Sequence, residues 1–107
     1  MKFEWDSDKD RANQKKHGVA FFTAKKVFSD ADRKDLPDHR HSEDEPRRIT
    51  IGKAGKILFV VYTERHYDIG EVVRIISARR ATEQERRFYY DRDGLFGHEQ
   101  ASGIQRR

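Results

Sequence analysis

The chain has 107 residues and a net charge of +4, with 39% charged side chains and no cysteine. This length allows one small domain, and the lack of cysteine excludes disulfides and thiolate metal sites. The sequence shows neither an apolar signal region nor a run long enough to span a membrane, which predicts a cytoplasmic protein. Residues 29–46 carry seven acidic and three basic side chains, so the rest of the chain is strongly basic. Such a basic body favours a polyanionic ligand such as nucleic acid.

The N-terminal part of the sequence predicts one strand followed by two helices. Residues 2–5 alternate between polar and apolar side chains, as a short strand does. The next helix has Asp6 or Ser7 as its N-cap, basic side chains in its last turn and Gly18 as its C-terminal stop. Residues 20–29 place apolar side chains at helical spacing, which predicts a second, short amphipathic helix.

The rest of the chain predicts strands and a last helix. Residues 30–46 form an acidic connection with short strand character around 33–36, and strands follow at 47–51, 56–65 and 71–80. Thr82 and Glu85 form a capping box for a helix that ends near Arg92. The order β-α-α-β-β-β-α predicts an α+β fold with a small antiparallel sheet. We expect one domain over residues 1–92 and a flexible tail over 93–107.

The strand at 57–62 is apolar on both faces, so the predicted sheet has two faces to cover. Three short helices cannot easily cover both of them. We therefore expect the second face to contact a partner or another subunit.

Two adjacent arginines, Arg79 and Arg80, end the last predicted strand and must point to opposite faces of the sheet. Because burying an unpaired guanidinium is costly, at least one of them contacts a carboxylate or a phosphate. For Arg79 and for Arg65, an ion pair with Glu64 or Glu85 is the alternative to a role at a phosphate. The sequence leaves open which of the two adjacent arginines anchors the last helix.

Five sequence blocks occur in colinear order between residues 3 and about 90. They are Trp5-Asp…Lys9…Asn13…Lys16-His-Gly-Val-Ala-Phe21, His41-Ser…Glu45, Arg47-x-x-x-Ile51-Gly52, Val60-Val-Tyr-Thr-Glu-Arg65 and Arg74-Ile-Ile-Ser-Ala-Arg-Arg-Ala-Thr…Glu85-Arg86. Through these blocks the sequence resembles the BrnT family of toxins from bacterial type II toxin–antitoxin systems. No single block is decisive, and their combination carries the resemblance.

The resemblance implies a RelE-like fold and an endoribonuclease that arrests growth and needs no metal ion or other cofactor. It also implies neutralisation by a BrnA-like ribbon-helix-helix antitoxin, through which the complex would bind operator DNA. The alternative function is a non-catalytic basic binding module that acts as the scaffold of a DNA-binding repressor complex. Expression of the chain alone separates the two, because a scaffold should be harmless.

Cleavage of RNA without a metal requires a base for the 2′-hydroxyl, cations for the phosphorane and an acid for the leaving oxygen. The predicted catalytic residues are His17, Glu45, Arg47, Arg65 and Arg79, and the predicted RNA-binding residues are Lys9, Lys16 and Arg80. Glu45 or a histidine would act as base, and the arginines would hold the phosphate. We expect Arg79→Ala to remove toxicity while leaving the fold intact.

Alternatives to these roles stay open. Glu45 and Arg47 could form only a local salt bridge, and His17 could simply favour the dipole at a helix C-terminus. His41 is a further candidate for the catalytic acid. His39 and His41 lack further ligands at fixed spacing, so we predict no metal site there.

Overall fold

The computed structural model describes residues 1–38 and 45–91, and within these residues it shows a sheet of five strands with helices on both faces. The elements in chain order are β1 (Lys2–Glu4), α1 (Ser7–His17), α2 (Phe21–Ala24), a 3-10 helix (Lys25–Ser29), β2 (Lys34–Asp38), β3 (Arg47–Ala54), β4 (Lys56–Tyr67), β5 (Gly70–Arg80) and α3 (Glu83–Tyr90). The predicted α+β class is confirmed. None of the helices in the described ranges has the length and hydropathy needed to cross a membrane.

The sheet is mixed, which corrects the predicted antiparallel sheet. Its strand order is β1-β5-β4-β3-β2, and β1 runs parallel to β5 while the other neighbours are antiparallel. The predicted order also lacked one strand, because β2 pairs with β3 from Lys34 to Asp38. Pro37 within β2 is tolerated because this is an edge strand. The predicted tail at 93–107 and the predicted helix end at Arg92 lie outside the described residues.

The helix ends follow the local sequence signals. Asp6 caps α1 by accepting hydrogen bonds from the backbone N–H groups of Asp8 and Lys9, and Gly18 ends the helix with a φ of 72°. The capping box predicted from Thr82 and Glu85 is present at the start of α3 and confirms that prediction.

Asn13 anchors α1 to the edge of β5 that faces away from β4. Its amide Nδ2 donates 2.8 Å hydrogen bonds to the carbonyl oxygens of Val19 and Ala78, and its Oδ1 accepts from the Ala78 N–H at 3.1 Å. The side chain is buried, so these three bonds satisfy an amide that would otherwise be costly to desolvate. α1 is thereby fixed along the sheet, and its C-terminus lies at the β5 end that carries Arg79 and Arg80.

Two apolar clusters lie on opposite faces of the sheet. α1 and α2 pack on the first face, whose buried side chains include Phe21, Leu58, Val60 and Ile75. On the second face, α3 contributes Tyr89 to a separate cluster of buried side chains, namely Ile49, Ile51, Ile57, Phe59 and Val61. The helix α3 therefore covers part of the face for which the sequence predicted an external partner.

α3 is held on the second face by polar contacts at its C-terminal end. The Tyr89 hydroxyl donates a 2.5 Å hydrogen bond to Asp30, and Lys34 donates to the Phe88 carbonyl at 3.0 Å. Burial alone would raise the pKa of Asp30, but hydrogen bonds from Tyr89 and from the Lys53 N–H outweigh it and lower that pKa. Asp30 is therefore a charged anchor that ties α3 to the turn before β2.

Candidate active site

The register of β4 and β5 separates the predicted catalytic residues into two groups. Arg79 lies opposite Phe59 and Arg65 lies opposite Val72, so six positions of β4, roughly 20 Å, separate the two arginines along the strand. His17 belongs to the Arg79 end, because it lines the same groove as Leu58 and Arg80. The structure therefore places the five predicted catalytic residues in two separate groups. The groups are Glu45, Arg47 and Arg65 at one end, and His17 and Arg79 at the other.

At the first end, two glutamates and two arginines form a connected set that we call the carboxylate–arginine cluster: Glu4, Glu45, Arg65 and Arg74. Arg65 donates from Nε and Nη2 to the two carboxylate oxygens of Glu45, at 2.9 and 3.2 Å. Its Nη1 lies 3.6 Å from Glu4, and Arg74 Nη1 lies 2.9 Å from the same Glu4 oxygen. Tyr67 adds a hydroxyl that donates to Glu4 at 3.1 Å.

Strand pairing explains why these side chains meet. The parallel pairing of β1 with β5 puts Glu4 beside Arg74, and Arg74 faces Thr63 across the β4–β5 pair. Arg65 follows Thr63 by two residues, so the side chains of Arg65 and Arg74 point to the same face, the one on which Phe59 and α3 lie. The cluster therefore occupies the second face, at the end of the sheet opposite the β3–β4 turn.

The cluster holds Glu45 in its ionised form while leaving it accessible. The hydrogen bonds from Arg65 lower the pKa of Glu45, and the charges of Arg65, Arg74 and Arg47 lower it further. The pKa of Arg65 is raised in turn by Glu45. Side chains in the cluster are between 28% and 38% exposed, so a ligand can reach them. Such an arrangement can offer a carboxylate base next to guanidinium groups that bind phosphate.

Arg79 has a different environment. Its Nη1 and Nη2 donate to the two oxygens of Glu85 at 2.8 and 2.9 Å, and its guanidinium stacks over the Phe59 ring at 4.0 Å. Arg79 is 9% exposed and Glu85 is fully buried. The ion-pair alternative with Glu85 is therefore present, and Arg79, not Arg80, anchors the last helix.

The other predicted residues are dispersed. Lys9 is exposed in the first turn of α1, Lys16 is exposed in its last turn, and Arg80 is exposed at the end of β5. Within residues 1–38 and 45–91, no group of three or more side chains suits a metal ion. The predicted acid His41 and its neighbour His39 lie outside the described residues.

Sequence reasoning missed three members of this site: Glu4, Arg74 and Tyr67. Arg74 lies within the β5 strand, and nothing local in the sequence connects it to Glu4, which is 70 residues away. The only signal was the excess of charged side chains at the ends of predicted strands. The parallel β1–β5 pairing is what turns these separate residues into one site.

A small α+β domain with an exposed carboxylate–arginine cluster is consistent with a ribonuclease toxin of a type II toxin–antitoxin system. Comparison with known proteins assigns the chain to this class of protein. The family model described as "Ribonuclease toxin, BrnT, of type II toxin-antitoxin system" matches residues 5–85. The chain therefore belongs to the BrnT family. No curated protein sequence matches it significantly.

A solved structure agrees with the family assignment. The chain is similar to the ribonuclease toxin BrnT of Brucella abortus, known from a 1.1 Å crystal structure, with 27% sequence identity and a TM-score of 0.61. The alignment covers 78% of this chain and 99% of the Brucella chain. The family and its described ribonuclease class thus agree with the predicted resemblance.

Proposed function

We propose that this chain is a metal-independent endoribonuclease that cleaves RNA by attack of the 2′-hydroxyl on the adjacent phosphate. The products would be a 2′,3′-cyclic phosphate and a 5′-hydroxyl. Membership in a family of ribonuclease toxins supports RNA as the substrate. The observation that carries the proposal is the exposed Glu45 carboxylate, kept ionised by a two-point hydrogen bond from Arg65.

In this proposal Glu45 is the general base and accepts the 2′-hydroxyl proton. Arg65 uses two of its five N–H donors on Glu45, and its Nη1, which lies 3.6 Å from Glu4, would turn to a phosphate oxygen of the substrate. Arg47 and Arg74 add positive charge close enough to lower the pKa of Glu45. This charge would also stabilise the phosphorane that develops during the attack.

The acid for the leaving 5′-oxygen needs an O–H or N–H donor at the same cluster. Tyr67 is our candidate, because its hydroxyl already donates to Glu4 at 3.1 Å and its side chain is 43% exposed. His41 remains a prediction from the sequence. His17 and Arg79 lie at the other end of the sheet, so we assign neither of them to the chemical step.

The proposed partners of this chain rest on its membership in the family. We propose that a BrnA-like ribbon-helix-helix antitoxin neutralises this chain and that the complex binds operator DNA through the antitoxin. We also propose a RelE-like arrangement of the sheet and action in the cytoplasm, where uncontrolled RNA cleavage would arrest growth. A type II toxin–antitoxin assignment supports the existence of an antitoxin partner.

The test is cleavage of end-labelled RNA by the purified chain in excess EDTA. We expect cutting in EDTA and a loss of about 100-fold or more in Glu45→Gln, because general-base catalysis contributes roughly 10²–10⁴-fold. Glu83→Gln is the matched control, since Glu83 is an exposed glutamate that pairs only with Arg87 in the described structure. The control should cleave at the wild-type rate.

Two results would overturn the proposal. One is a folded Glu45→Gln variant that cuts RNA as fast as wild type, and the other is cleavage that EDTA abolishes and Mg²⁺ restores. Expression of the chain without an antitoxin separates the enzyme from the scaffold alternative. An active toxin arrests growth and the Glu45→Gln variant does not, whereas a scaffold is harmless in both forms.

A further inference from the structure

A groove wraps around the sheet end that carries the β3–β4 turn, far from the carboxylate–arginine cluster. Its α3 side has a volume of about 410 Å³, and its α1 side has a volume of about 520 Å³. The two parts share Gly55, Lys56 and Arg80, so they form one continuous surface that we call the cationic groove. Its basic and aromatic side chains are His17, Lys53, Lys56, Arg80, Arg86 and Tyr90.

No carboxylate lines either part of this groove. In the part of the chain that the structure describes, the side chains of Lys56, Arg80 and Arg86 form no ion pair, and each of them is exposed. Some exposed cations elsewhere in the described structure do have acidic partners, such as Arg87 with Glu83. Unneutralised cations that converge on a concave surface are the electrostatic signature of a polyanion site.

An aromatic ring lies beside these cations. Tyr90 is 56% exposed at the end of α3 and lines the α3 side of the groove together with Arg86. A nucleobase can stack on such a ring while the phosphates on either side contact lysine and arginine, and this is how proteins bind single strands without reading their sequence. An acidic peptide would use the cations but would have no comparable use for the ring.

We propose that the cationic groove binds the backbone of single-stranded RNA, with one base stacked on Tyr90, at a site separate from the carboxylate–arginine cluster. The choice of RNA as occupant rests on the proposed function. Lys56 lies nine residues before Arg65 on β4, which places the groove roughly 30 Å from the cluster along the strand. The groove therefore holds a part of the substrate that is distant from the bond that is cut.

The test measures binding of an RNA that the protein cannot cleave, so loss of the probe by cleavage does not affect the result. The probe is a fluorescein-labelled single-stranded RNA carrying 2′-O-methyl groups, which lacks the nucleophile and cannot be cut by the proposed mechanism. Anisotropy titrations at several salt concentrations compare wild type with the triple variant Lys56→Ala, Arg80→Ala, Arg86→Ala. The matched control removes three cations outside the groove, namely Arg11→Ala and Lys26→Ala, which are exposed, and Lys25→Ala, which is half-buried.

We expect the groove variant to bind at least about tenfold more weakly at low salt, because it loses three phosphate contacts. The slope of log K against log salt should fall by about 2, since each contact to a single strand contributes roughly 0.7. At about 0.15 M salt the control variant should remain within about threefold of wild type, because charges farther than about 8 Å from the bound strand are largely screened there. Circular dichroism checks that all three proteins are folded.

Substitutions of Tyr90 test stacking separately from charge. We expect Tyr90→Leu to weaken binding about fivefold or more while the salt slope stays unchanged, because the loss of a stacked base does not alter phosphate contacts. Tyr90→Phe keeps the ring and should bind like wild type. A Tyr90→Leu variant that binds as tightly as Tyr90→Phe would overturn the stacking part of the proposal.

Equal loss of binding in the groove and control variants would overturn the groove as a site, and so would wild-type protein that binds poly-glutamate more tightly than the RNA probe. Neither result affects the cleavage test at Glu45. Conversely, an inactive wild-type protein whose RNA binding falls in the groove variant would leave the groove in place and remove the proposed catalysis.

Discussion

Two arginine–glutamate pairs in this chain are each joined by two hydrogen bonds, and their surroundings differ. Arg65 with Glu45 and Arg79 with Glu85 each form two parallel N–H···O bonds, at 2.8–3.2 Å. The Arg79 pair lies under α3 against Phe59, whereas the Arg65 pair is more than a third exposed. A buried pair mainly fixes structure, because solvent and substrate cannot reach it. An exposed pair that is also joined by two hydrogen bonds keeps a base and a phosphate-binding group available.

The largest expected effect is on stability and comes from breaking the buried pair. Glu85→Ala should lower the free energy of unfolding by about 3–5 kcal/mol, because it leaves the Arg79 guanidinium buried without its partner. Urea denaturation measures this loss, with Glu83→Ala as an exposed control on the same helix. Unfolding of Glu85→Ala at the wild-type urea concentration would show that the pair is not what anchors α3.

The sequence led us to expect that Arg79→Ala would leave the fold intact, and the structure changes that expectation. The substitution leaves the fully buried Glu85 carboxylate without its guanidinium, so we expect a destabilised fold and not an intact one. A double variant, Arg79→Met with Glu85→Leu, replaces both charges by apolar side chains and should recover stability relative to Glu85→Ala. If the double variant is folded and cleaves RNA, Arg79 has no part in the chemistry.

Breaking the exposed pair should instead change activity. Arg65→Lys keeps the positive charge but loses the two-point hydrogen bond to Glu45, so we expect RNA cleavage to fall roughly 10- to 100-fold. The free energy of unfolding should change by less than about 1 kcal/mol, as is usual for exposed pairs. The cleavage assay and urea denaturation are run on the same preparations, with Arg11→Lys as control. A large loss of stability would mean that the Arg65 pair is structural like the other one.

The anchor at the far end of α3 should have a smaller effect. Tyr89→Phe removes the hydroxyl that donates to Asp30 and should lower the free energy of unfolding by about 1.5 kcal/mol, since the acceptor is charged. Tyr90→Phe provides the control, because the Tyr90 hydroxyl has no hydrogen bond within the described residues. Equal stability of the two variants in urea would rule out the Asp30 bond as an anchor.

The smallest effect is on the pH dependence of the exposed pair. The hydrogen bonds from Arg65 lower the pKa of Glu45 below its ordinary value of 4.5. A lowered pKa means that the pair contributes stability above the unfolded pKa and loses it as pH falls through the folded pKa. Titration of the Glu45 carboxyl carbon by NMR should give a pKa below 4.5 in wild type and a higher one in Arg65→Lys. An unchanged pKa in the variant would contradict the assigned cause.

Much of the local structure could be predicted because its signals lie within a few residues of one another. The Thr82–Glu85 capping box and the Gly18 helix stop are both present as the sequence indicated. The parallel partner of β1 could not be predicted, since parallel pairing depends on where α1 and α2 carry the chain. β2 was only a weak signal because it is short, acidic and contains Pro37.

The site was harder to predict than the fold for the same reason. Glu45, Arg47 and Arg65 were identified from charges at strand ends, and the structure brings Glu45 and Arg65 into contact. Arg79 carries an equally strong local signal, and only tertiary packing under α3 distinguishes it from Arg65. The sequence therefore shows that these arginines need a carboxylate or phosphate partner, but it cannot show which of them is solvent-accessible.

The anchoring of α1 by Asn13 has a consequence for how this chain meets other molecules. β1 covers β5 only from Val72 to Arg74, so the backbone farther along β5 would be open to a strand from another molecule. The Asn13 amide occupies both the N–H and the carbonyl of Ala78 on that side. A side chain thus takes the place of a neighbouring strand at Ala78, whose N–H and C=O groups are no longer available for pairing with a strand of another molecule.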